Sequence, residues 1–309
     1  MSTAKSKRKS PQGKPTTTKL WLAGARLRTL PLAVAPVLLG SLMPLASQKF
    51  SGLLTLLALA VAIFVQVGVN YANDYSDGIR GTDAKRVGPL RLVGSGLVEP
   101  KLVKRAAFLC FALAALCGMA MIAIDLSVGI TGALWLLVVG ALAIVAAWFY
   151  TGGKRPYGYA GLGDLMVFIF FGLVATVGTS YVQQGYLDQT AVLLGAVAGF
   201  FACAVLMVNN IRDRVSDAQV GKKTLSVRVG ATWSKILFLA DLWLPFGIIS
   251  LVSIFYPRVL IGWLAALLAV PATVVFLMAK SPKELILVLK LSSYSALAFA
   301  ALQFLAFWS

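Results

Sequence analysis

The sequence predicts an all-α fold: a polytopic membrane helical bundle of nine transmembrane helices around a central cavity. Two observations support this fold class. Hydrophobic residues make up 59% of the 309 residues and charged residues only 13%, which leaves too little polar surface to cover a soluble globule. Apolar windows of roughly 20 residues, the length of helix that crosses a bilayer, also recur with short gaps between them.

The apolar windows define the predicted elements in chain order. The spans are 22–46, 51–73, 104–124, 128–150, 162–183, 189–210, 233–255, 259–279 and 285–307. Residues 19–309 therefore form one nine-span domain. Residues 1–18 are basic, rich in Pro, Ser and Thr and without an apolar run, so we expect a disordered cytoplasmic tail that contacts anionic membrane lipid.

The basic residues fall on one side of the predicted membrane. All but two of the 28 Lys and Arg residues lie in the N-terminal tail or in connections on its side, and the exceptions are Lys49 and Arg258. This positive-inside pattern predicts a multi-pass protein of the cell membrane with a cytoplasmic N-terminus. The net charge of +17 does not indicate a nucleic-acid partner, because no recognition module joins the basic segments.

Two residue types limit the chemistry. The three cysteines, Cys110, Cys117 and Cys203, lie inside predicted spans without metal-ligand spacing, and we interpret them as packing residues. The chain contains no His, which removes the usual general base and any His-based metal site.

The scarce acidic residues cluster where the second span ends. In NYANDYSD, Asn70, Asp74 and Asp77 occupy positions i, i+4 and i+7, so a helix that continues through them places all three on one stripe. Asp83 follows in the same connection. This connection, about 74–103, is predicted as a long cytoplasmic loop that also carries Arg91.

The same pattern recurs at the end of the sixth span. In NNIRDRVSD, Asn209, Asp213 and Asp217 occupy positions i, i+4 and i+8. A second long loop, about 211–232, follows and carries Lys222. We therefore predict two related halves, about 22–150 and 162–279, whose acidic stripes face each other across the cavity while the ninth span packs outside.

Paired acidic stripes point to a cation and a phosphate. Ionisable groups at membrane helix ends are costly unless paired. Mg²⁺ takes one or two carboxylates and completes its shell with water and phosphate oxygens, while Lys and Arg neutralise the remaining phosphate charge. The sequence thus predicts a magnesium-diphosphate site, although each Asp alone could instead form a salt bridge with a neighbouring Arg. The predicted metal ligands are Asn70, Asp74, Asp77, Asp83, Asp213 and Asp217.

A third polar segment, YTGGKRPYGYAGLGD at 150–164, joins the fourth and fifth spans. It places Tyr150 and Lys154 four residues apart at a helix exit and then breaks the backbone with Gly and Pro. Lys154 could reach a phosphate of the same site. The alternatives are that Lys154 and Arg155 fix the topology and that Tyr150 is an interfacial aromatic.

These motifs together resemble the UbiA superfamily of intramembrane aromatic prenyltransferases, over nearly the whole chain after residue 19. The segments NDYSDGIRGTD, NNIRDRVSDAQVGKKTL and ARLRTLPLAVAPVLLG are similar to its menaquinone branch. The resemblance implies that Mg²⁺ is the cofactor and that a polyprenyl group passes from polyprenyl diphosphate to 1,4-dihydroxy-2-naphthoate, whose carboxylate leaves as CO₂.

The resemblance also implies roles for individual residues. The predicted catalytic residues are Asp74, Asp77, Asp213, Asp217 and Lys154. The predicted diphosphate-binding residues are Asn70, Asn209, Tyr150, Lys154, Lys222 and Arg91. Arg26 and Arg28, at the mouth of the first span, are expected to bind the naphthoate carboxylate, with membrane anchoring as the alternative.

Two other functions stay open at this point. A family member could use another acceptor, such as 4-hydroxybenzoate, homogentisate or a lipid alcohol. A two-halved helical bundle could also be a cation or metabolite transporter, but transporters carry their polar sites near the bilayer midplane. Here Asp241 is the only acidic residue expected inside a span away from the cytoplasmic edge.

Overall fold

The computed structural model describes residues 16–82, 90–124 and 128–308. All regular secondary structure in these ranges is helical, which confirms the all-α membrane bundle. Within these ranges, eight helical segments are long and apolar enough to cross a bilayer, and the number is nine when a bent helix pair is counted as one span. Most of the predicted tail lies outside the described residues, but its end, expected to be disordered, is helical from Thr17 onward.

The helices follow the predicted order of spans. They are α1 Thr17–Ala25, α2 Pro31–Gly40, α3 Leu42–Ala46, α4 Gly52–Arg80, α5 Pro100–Ile124, α6 Gly129–Phe149, α7 Gly163–Val167, α8 Ala175–Gln184, α9 Gln189–Gln219, α10 Leu225–Val252, α11 Ala266–Met278 and α12 Leu285–Trp308. Short 3₁₀ segments occupy Leu27–Thr29, Tyr157–Ala160 and Pro257–Ala265, and a π-helix occupies Phe168–Val174.

The first span is broken, which corrects the prediction of one helix over 22–46. α1 ends at Ala25, and Arg26 takes a left-handed conformation with φ 53°. The helix that follows starts at Pro31 and is bent by 47° relative to the first piece. Proline suits a helix start because it has no N–H to leave unpaired. Apolar composition is continuous through the break, so a hydropathy window does not detect it.

The two acidic stripes lie within helices, so both predicted long loops are shorter than expected. α4 continues to Arg80, α9 continues to Gln219, and α10 begins at Leu225, ahead of the seventh span predicted from residue 233. The polar last turns of α4 and α9 end the apolar windows early although the backbone remains helical. Each stripe is therefore held on a rigid helix end.

α9 is the central helix of the bundle. Within its apolar window, 72% of the residues are buried inside the protein, compared with 17% for α6. α12 was expected to pack outside, but half of its window is buried and it packs against α2, α9 and α11. Phe299 and Ala300 of α12 are completely buried, so the ninth span is part of the core.

The π-helix packs closely against α9. A methyl group added to Gly172 would overlap the backbone of Gly199. Small residues allow this close approach of helices in membranes. The contact fixes one face of the π-helix, and its Phe170 and Phe171 line a cavity on another face.

Candidate active site

An apolar cavity of about 530 Å³ lies between α2, α4, α5, α6, α9 and the π-helix. Hydrocarbon side chains form most of its wall. Polar groups line the end at which α4, α6 and α9 terminate, namely Arg26, Asn70, Asn73, Tyr150 and Asn209. This arrangement suits a molecule with a long apolar tail and a polar head.

Asp77 lies one helical turn beyond Asn73 and is surrounded by cations. Its side chain is only 5% exposed, and Oδ2 lies 3.6 Å from Arg91 Nη2 and 3.9 Å from Lys222 Nζ. Its other oxygen, Oδ1, accepts a hydrogen bond of 2.6 Å from the Tyr159 hydroxyl. Burial strengthens such charge interactions because the local dielectric constant is below that of water.

Lys222 connects the two acidic stripes. Its Nζ is 4.0 Å from Asp217 Oδ1 as well as 3.9 Å from Asp77 Oδ2. The backbone N–H of Lys222 also donates to the Asp217 carbonyl at 2.8 Å, which closes the turn after α9. One lysine ammonium thus lies between a carboxylate of α4 and a carboxylate of α9.

Asp74 and Asp213 have different surroundings. Asp74 is completely buried, and its two oxygens accept hydrogen bonds of 2.9 Å from the backbone N–H groups of Leu92 and Val93. Asp213 forms a bidentate pair with Arg212, with both N–O distances at 2.7 Å. Asp74 therefore holds the connection before α5, and Asp213 shows the helix-end salt bridge that the sequence left as an alternative.

Asn70 stabilises the break in the first span. Its Nδ2 donates to the carbonyl of Ala25 at 2.9 Å and to Thr29 Oγ1 at 3.1 Å. Gln66 Nε2 donates to the same hydroxyl at 2.9 Å. These contacts set the position of Arg26 relative to the cavity.

The remaining predicted residues are distributed around the rim. Tyr150 contacts the cavity, and burial raises the pKa of its phenol, so it remains a hydroxyl at neutral pH. Asn209 also lines the cavity. Lys154 is exposed and forms no ion pair with an acidic residue in the described part of the chain. Asp83 lies outside the described residues.

A small second pocket of about 20 Å³ adjoins the polar end of the cavity. Both spaces share Arg26, Thr29 and Asn209. The other lining residues of the small pocket are Arg28, Arg91, Arg212 and Leu289. Four guanidinium side chains that surround one small space favour an anionic group such as a carboxylate or a phosphate.

The structure adds residues that the motif reasoning missed. Asn73 lines the cavity and accepts a hydrogen bond of 2.7 Å from the Thr151 hydroxyl. Arg80 donates to the carbonyls of Thr151 and Gly153 and thereby holds the start of the α6–α7 connection. A signal for Asn73 was present, because Asn73 and Asp77 have the same i, i+4 spacing as the pair chosen from the sequence.

The acidic residues suit a metal that shares its ligands with a substrate. Within residues 16–82, 90–124 and 128–308, no group of three or more His, Cys, Asp or Glu side chains is close enough to enclose a metal ion. Asp77 and Asp217 offer two carboxylates near one point. Mg²⁺ is commonly held by one or two carboxylates together with phosphate oxygens and water, so these residues fit Mg²⁺ bound with a diphosphate.

Comparisons with known proteins identify similar sequences. A model of the UbiA prenyltransferase family matches residues 33–285. A 1,4-dihydroxy-2-naphthoate octaprenyltransferase of Mycobacterium tuberculosis is 43% identical over 280 residues, which cover 91% of this chain and 94% of that protein. The Escherichia coli protein of the same name is 38% identical, with 83% of each chain covered.

Solved structures share the fold. A UbiA homolog from Archaeoglobus fulgidus bound to GPP and Mg²⁺ matches with a TM-score of 0.65 at 14% identity, covering 94% of this chain and all of that chain. The apo structure of a UbiA homolog from Aeropyrum pernix K1 matches with the same TM-score at 15% identity, covering 94% of this chain and 98% of that chain.

Proposed function

The chain belongs to the UbiA prenyltransferase family, and we propose that it transfers a polyprenyl group from a polyprenyl diphosphate to 1,4-dihydroxy-2-naphthoate. The products are demethylmenaquinol, which is the reduced (quinol) form of demethylmenaquinone, together with diphosphate and CO₂. One observation carries the proposal: Lys222 joins Asp77 and Asp217 just beyond the polar end of an apolar cavity. The naphthoate acceptor is supported by relatives of 38–46% identity that bear this activity in their names.

The donor fits across the cavity and the charged cluster. Its apolar tail would occupy the cavity, where each buried methylene contributes about 0.8 kcal/mol. Its diphosphate would lie at Asp77, Asp217 and Lys222. Lys222 and Arg91 then stabilise the negative charge that develops on the departing diphosphate, and such preorganised charge is often the largest catalytic contribution.

Mg²⁺ bound with the diphosphate would supply further stabilisation of the departing charge. We assign its carboxylate ligands to Asp77 and Asp217; Asp83, which the sequence also predicts as a ligand, lies outside the described residues. Asp74 lies about one helical turn before Asp77 on α4, and Asp213 lies about one turn before Asp217 on α9. Both would hold the structure around the ligands in place through their own hydrogen bonds. Lys154, on the exposed rim, would approach a phosphate oxygen from solvent.

The acceptor carboxylate suits the pocket of arginine side chains. Arg26 and Arg28 lie on the break of the first span, and Arg91 and Arg212 line the same space. Guanidinium groups bind carboxylates in a bidentate geometry. A carboxylate held there would place the naphthoate ring beside the polar end of the cavity, next to the allylic carbon of the donor.

The proposed reaction needs no ring deprotonation. The allylic carbon–oxygen bond breaks and its electron pair leaves with the diphosphate. The ring carbon that bears the carboxylate then bonds to the allylic carbon. Loss of CO₂ returns the electron pair of the broken carbon–carbon bond to the ring and restores its aromaticity. A chain without His is compatible with this sequence of steps.

The test is a product assay with the purified protein in detergent, where no transmembrane gradient exists. A polyprenyl diphosphate is supplied with dihydroxynaphthoate, 4-hydroxybenzoate or homogentisate, and products are identified by mass. We expect demethylmenaquinol, detected as such or as demethylmenaquinone after oxidation by air, and we expect its formation to require Mg²⁺ and to be abolished by EDTA. Prenylation of hydroxybenzoate without prenylation of dihydroxynaphthoate would refute the proposed acceptor.

A further inference from the structure

We infer that Tyr159 is a positioning residue for the diphosphate site, because it orients the Asp77 carboxylate and fixes the place of Lys222. Tyr159 lies in the short 3₁₀ segment between α6 and α7, within the polar segment 150–164 but not among the site residues predicted from it. The inference rests on the proposed function, since it concerns the site at which the diphosphate and Mg²⁺ would bind.

The Tyr159 hydroxyl determines how Asp77 faces the cations. It donates to Asp77 Oδ1 at 2.6 Å. The other oxygen, Oδ2, is the one nearest to Lys222 and Arg91. A carboxylate fixed through one oxygen cannot rotate freely, so the second oxygen stays directed toward the point where the two stripes meet.

The Tyr159 hydroxyl has a second oxygen neighbour. Thr82 Oγ1 lies 3.5 Å from it, and the Thr82 hydroxyl itself donates to the Asp77 carbonyl at 3.1 Å. The contact of the Tyr159 hydroxyl with Asp77 Oδ1, at 2.6 Å, is the shorter of its two contacts.

The ring of Tyr159 contacts two cations. Lys222 Nζ lies 4.8 Å from the ring centroid, and the guanidinium carbon of Arg80 lies 5.3 Å from it. Both distances are within the range of cation–π attraction. Arg80 also donates hydrogen bonds to the carbonyls of Thr151 and Gly153, so the ring contacts both Lys222 and the residue that holds the start of the α6–α7 connection.

The backbone of Tyr159 fixes the turn that carries Lys222. Its carbonyl accepts a hydrogen bond of 2.9 Å from the N–H of Lys223. One residue of the α6–α7 connection thus contacts the end of α4 through its hydroxyl, the cations through its ring and the α9–α10 turn through its carbonyl. These contacts join the three elements on which the proposed diphosphate site depends.

Two substitutions separate the contributions of the hydroxyl and the ring. Tyr159→Phe keeps the ring and removes the hydrogen bond to Asp77, while Tyr159→Leu removes both. Tyr71→Phe is the matched control, because the Tyr71 hydroxyl also donates one hydrogen bond, to the Trp21 carbonyl at 3.0 Å. All three variants are made in the full-length chain in detergent.

The first measurement is binding, independent of turnover. Mn²⁺ replaces Mg²⁺ as a spectroscopic probe with similar oxygen-ligand preference, and electron paramagnetic resonance reports its binding in the presence of inorganic pyrophosphate. We expect Tyr159→Phe to weaken this binding about tenfold, the effect of losing one hydrogen bond to a charged group. Tyr159→Leu should weaken it further, and Tyr71→Phe should match the wild type.

The second measurement separates positioning from general instability. Tyr159→Phe should raise the KM for polyprenyl diphosphate about tenfold, with the KM for the acceptor unchanged and kcat within about threefold. Wild-type binding in Tyr159→Phe, or equal losses in Tyr159→Phe and Tyr71→Phe, would refute the positioning role of Tyr159 and leave the proposed function untouched. Failure of the wild type itself to bind Mn²⁺ with pyrophosphate would instead overturn the proposed diphosphate site.

Discussion

Four carboxylates at the ends of α4 and α9 are surrounded by different partners. Asp77 and Asp217 face a shared side-chain cation, Lys222. Asp74 accepts two backbone hydrogen bonds, and Asp213 pairs with the adjacent Arg212. A lysine ammonium can move to a phosphate when a metal takes its place between the carboxylates, whereas the partners of Asp74 belong to the backbone. The first two carboxylates are therefore the better candidates for metal ligands.

Asp77→Asn tests the proposed ligand directly. The substitution keeps the side-chain shape and removes the charge that would hold Mg²⁺, so we expect turnover to fall at least about 100-fold while the protein remains folded. The control is Asp188→Asn at the start of α9. Asp188 accepts one hydrogen bond there from Ala191 N–H at 3.1 Å, and Asn is an equally good helix cap. Near-normal turnover in Asp77→Asn would show that the stripe is structural.

Lys222→Met tests the cation between the stripes. It retains an unbranched apolar stem and removes the charge that would stabilise the departing diphosphate, so we expect turnover to drop about 100-fold or more. Lys223→Met, at the exposed neighbouring position, should leave turnover close to that of the wild type. Steady-state kinetics on both variants makes the comparison. Equal losses in the two variants would contradict a specific role for Lys222.

Spacing alone does not identify which residues of a stripe face the site. Asn70 with Asp74, and Asn73 with Asp77, both fit the i, i+4 spacing, and the predicted stripe starts with the first pair. In the structure, Asn73 accepts from Thr151 at the cavity, and Asp74 turns toward Leu92 and Val93. The choice depends on a connection about 18 residues further along the chain, and local periodicity carries no information about it.

Among the elements, the connection before α5 depends on Asp74. This segment carries Arg91 to within 3.6 Å of Asp77. Asp74→Asn replaces one acceptor oxygen by an NH₂ group that opposes a backbone N–H, so one buried hydrogen bond is lost at a cost of about 1 to 3 kcal/mol. We expect faster hydrogen exchange at Leu92 and Val93 and a KM for the diphosphate raised about tenfold.

A control for Asp74→Asn exists in the same connection. Ser95→Ala removes a 3.3 Å hydrogen bond from the Ser95 hydroxyl to the Leu92 carbonyl. It should change neither the rate of hydrogen exchange at Leu92 and Val93 nor the KM for the diphosphate by more than about twofold. If Asp74→Asn abolished turnover but left hydrogen exchange at Leu92 and Val93 unchanged, Asp74 would act on the substrate or metal and not through the connection.

The break in the first span depends on the hydroxyl of Thr29. It donates to the Arg26 carbonyl at 2.9 Å and accepts from Gln66 and Asn70. Thr29→Val keeps the shape of the side chain but removes the oxygen that accepts hydrogen bonds from the side-chain amides of Gln66 and Asn70. We expect the KM for dihydroxynaphthoate to rise about tenfold because Arg26 and Arg28 shift, with a smaller effect on the KM for the diphosphate.

Thr55→Val is the matched control for Thr29→Val. Thr55 is also buried in the bundle, but its hydroxyl has only a 3.4 Å contact with Ser41. The Thr55→Val variant should have a lower melting temperature and unchanged KM values for dihydroxynaphthoate and for the diphosphate. Kinetics of both variants and their melting temperatures in detergent provide the comparison. A parallel rise in both KM values for Thr29→Val would argue against a specific effect on the acceptor.

The sequence predicted the elements well where composition decides them and less well where tertiary contacts decide them. The nine spans follow from hydropathy, because lipid requires about 20 apolar residues for each crossing. The break at Arg26 depends on hydrogen bonds from Asn70 and Gln66 to distant residues of the chain. The burial of α12 depends on which helices pack against it, since its composition resembles that of the lipid-facing spans.

At the scale of the whole molecule, burial is uneven across the bundle. Among the eight unbroken spans, α9 and α12 are the most buried, while α5 and α6 expose most of their apolar surface as lipid-facing helices do. The acidic stripes end α4 and α9, which are the second and sixth spans. The two related halves, about 22–150 and 162–279, stay a prediction, and a structural repeat would explain why the stripes meet.

The distribution of Lys and Arg residues predicts the orientation of the chain in the membrane. If the N-terminus and the site are cytoplasmic, Lys101 faces the cytoplasm and Arg258 the opposite side; both residues are exposed. In a background with Cys110, Cys117 and Cys203 replaced, single Lys101→Cys and Arg258→Cys variants are treated with a membrane-impermeant maleimide in intact cells. We expect labelling at position 258 only, and labelling at 101 after permeabilisation. Labelling of position 101 in intact cells would place the carboxylates of α4 and α9 on the outer face of the membrane. The arginine pocket would then be away from a cytoplasmic supply of water-soluble naphthoate, which would contradict the proposed route of the acceptor.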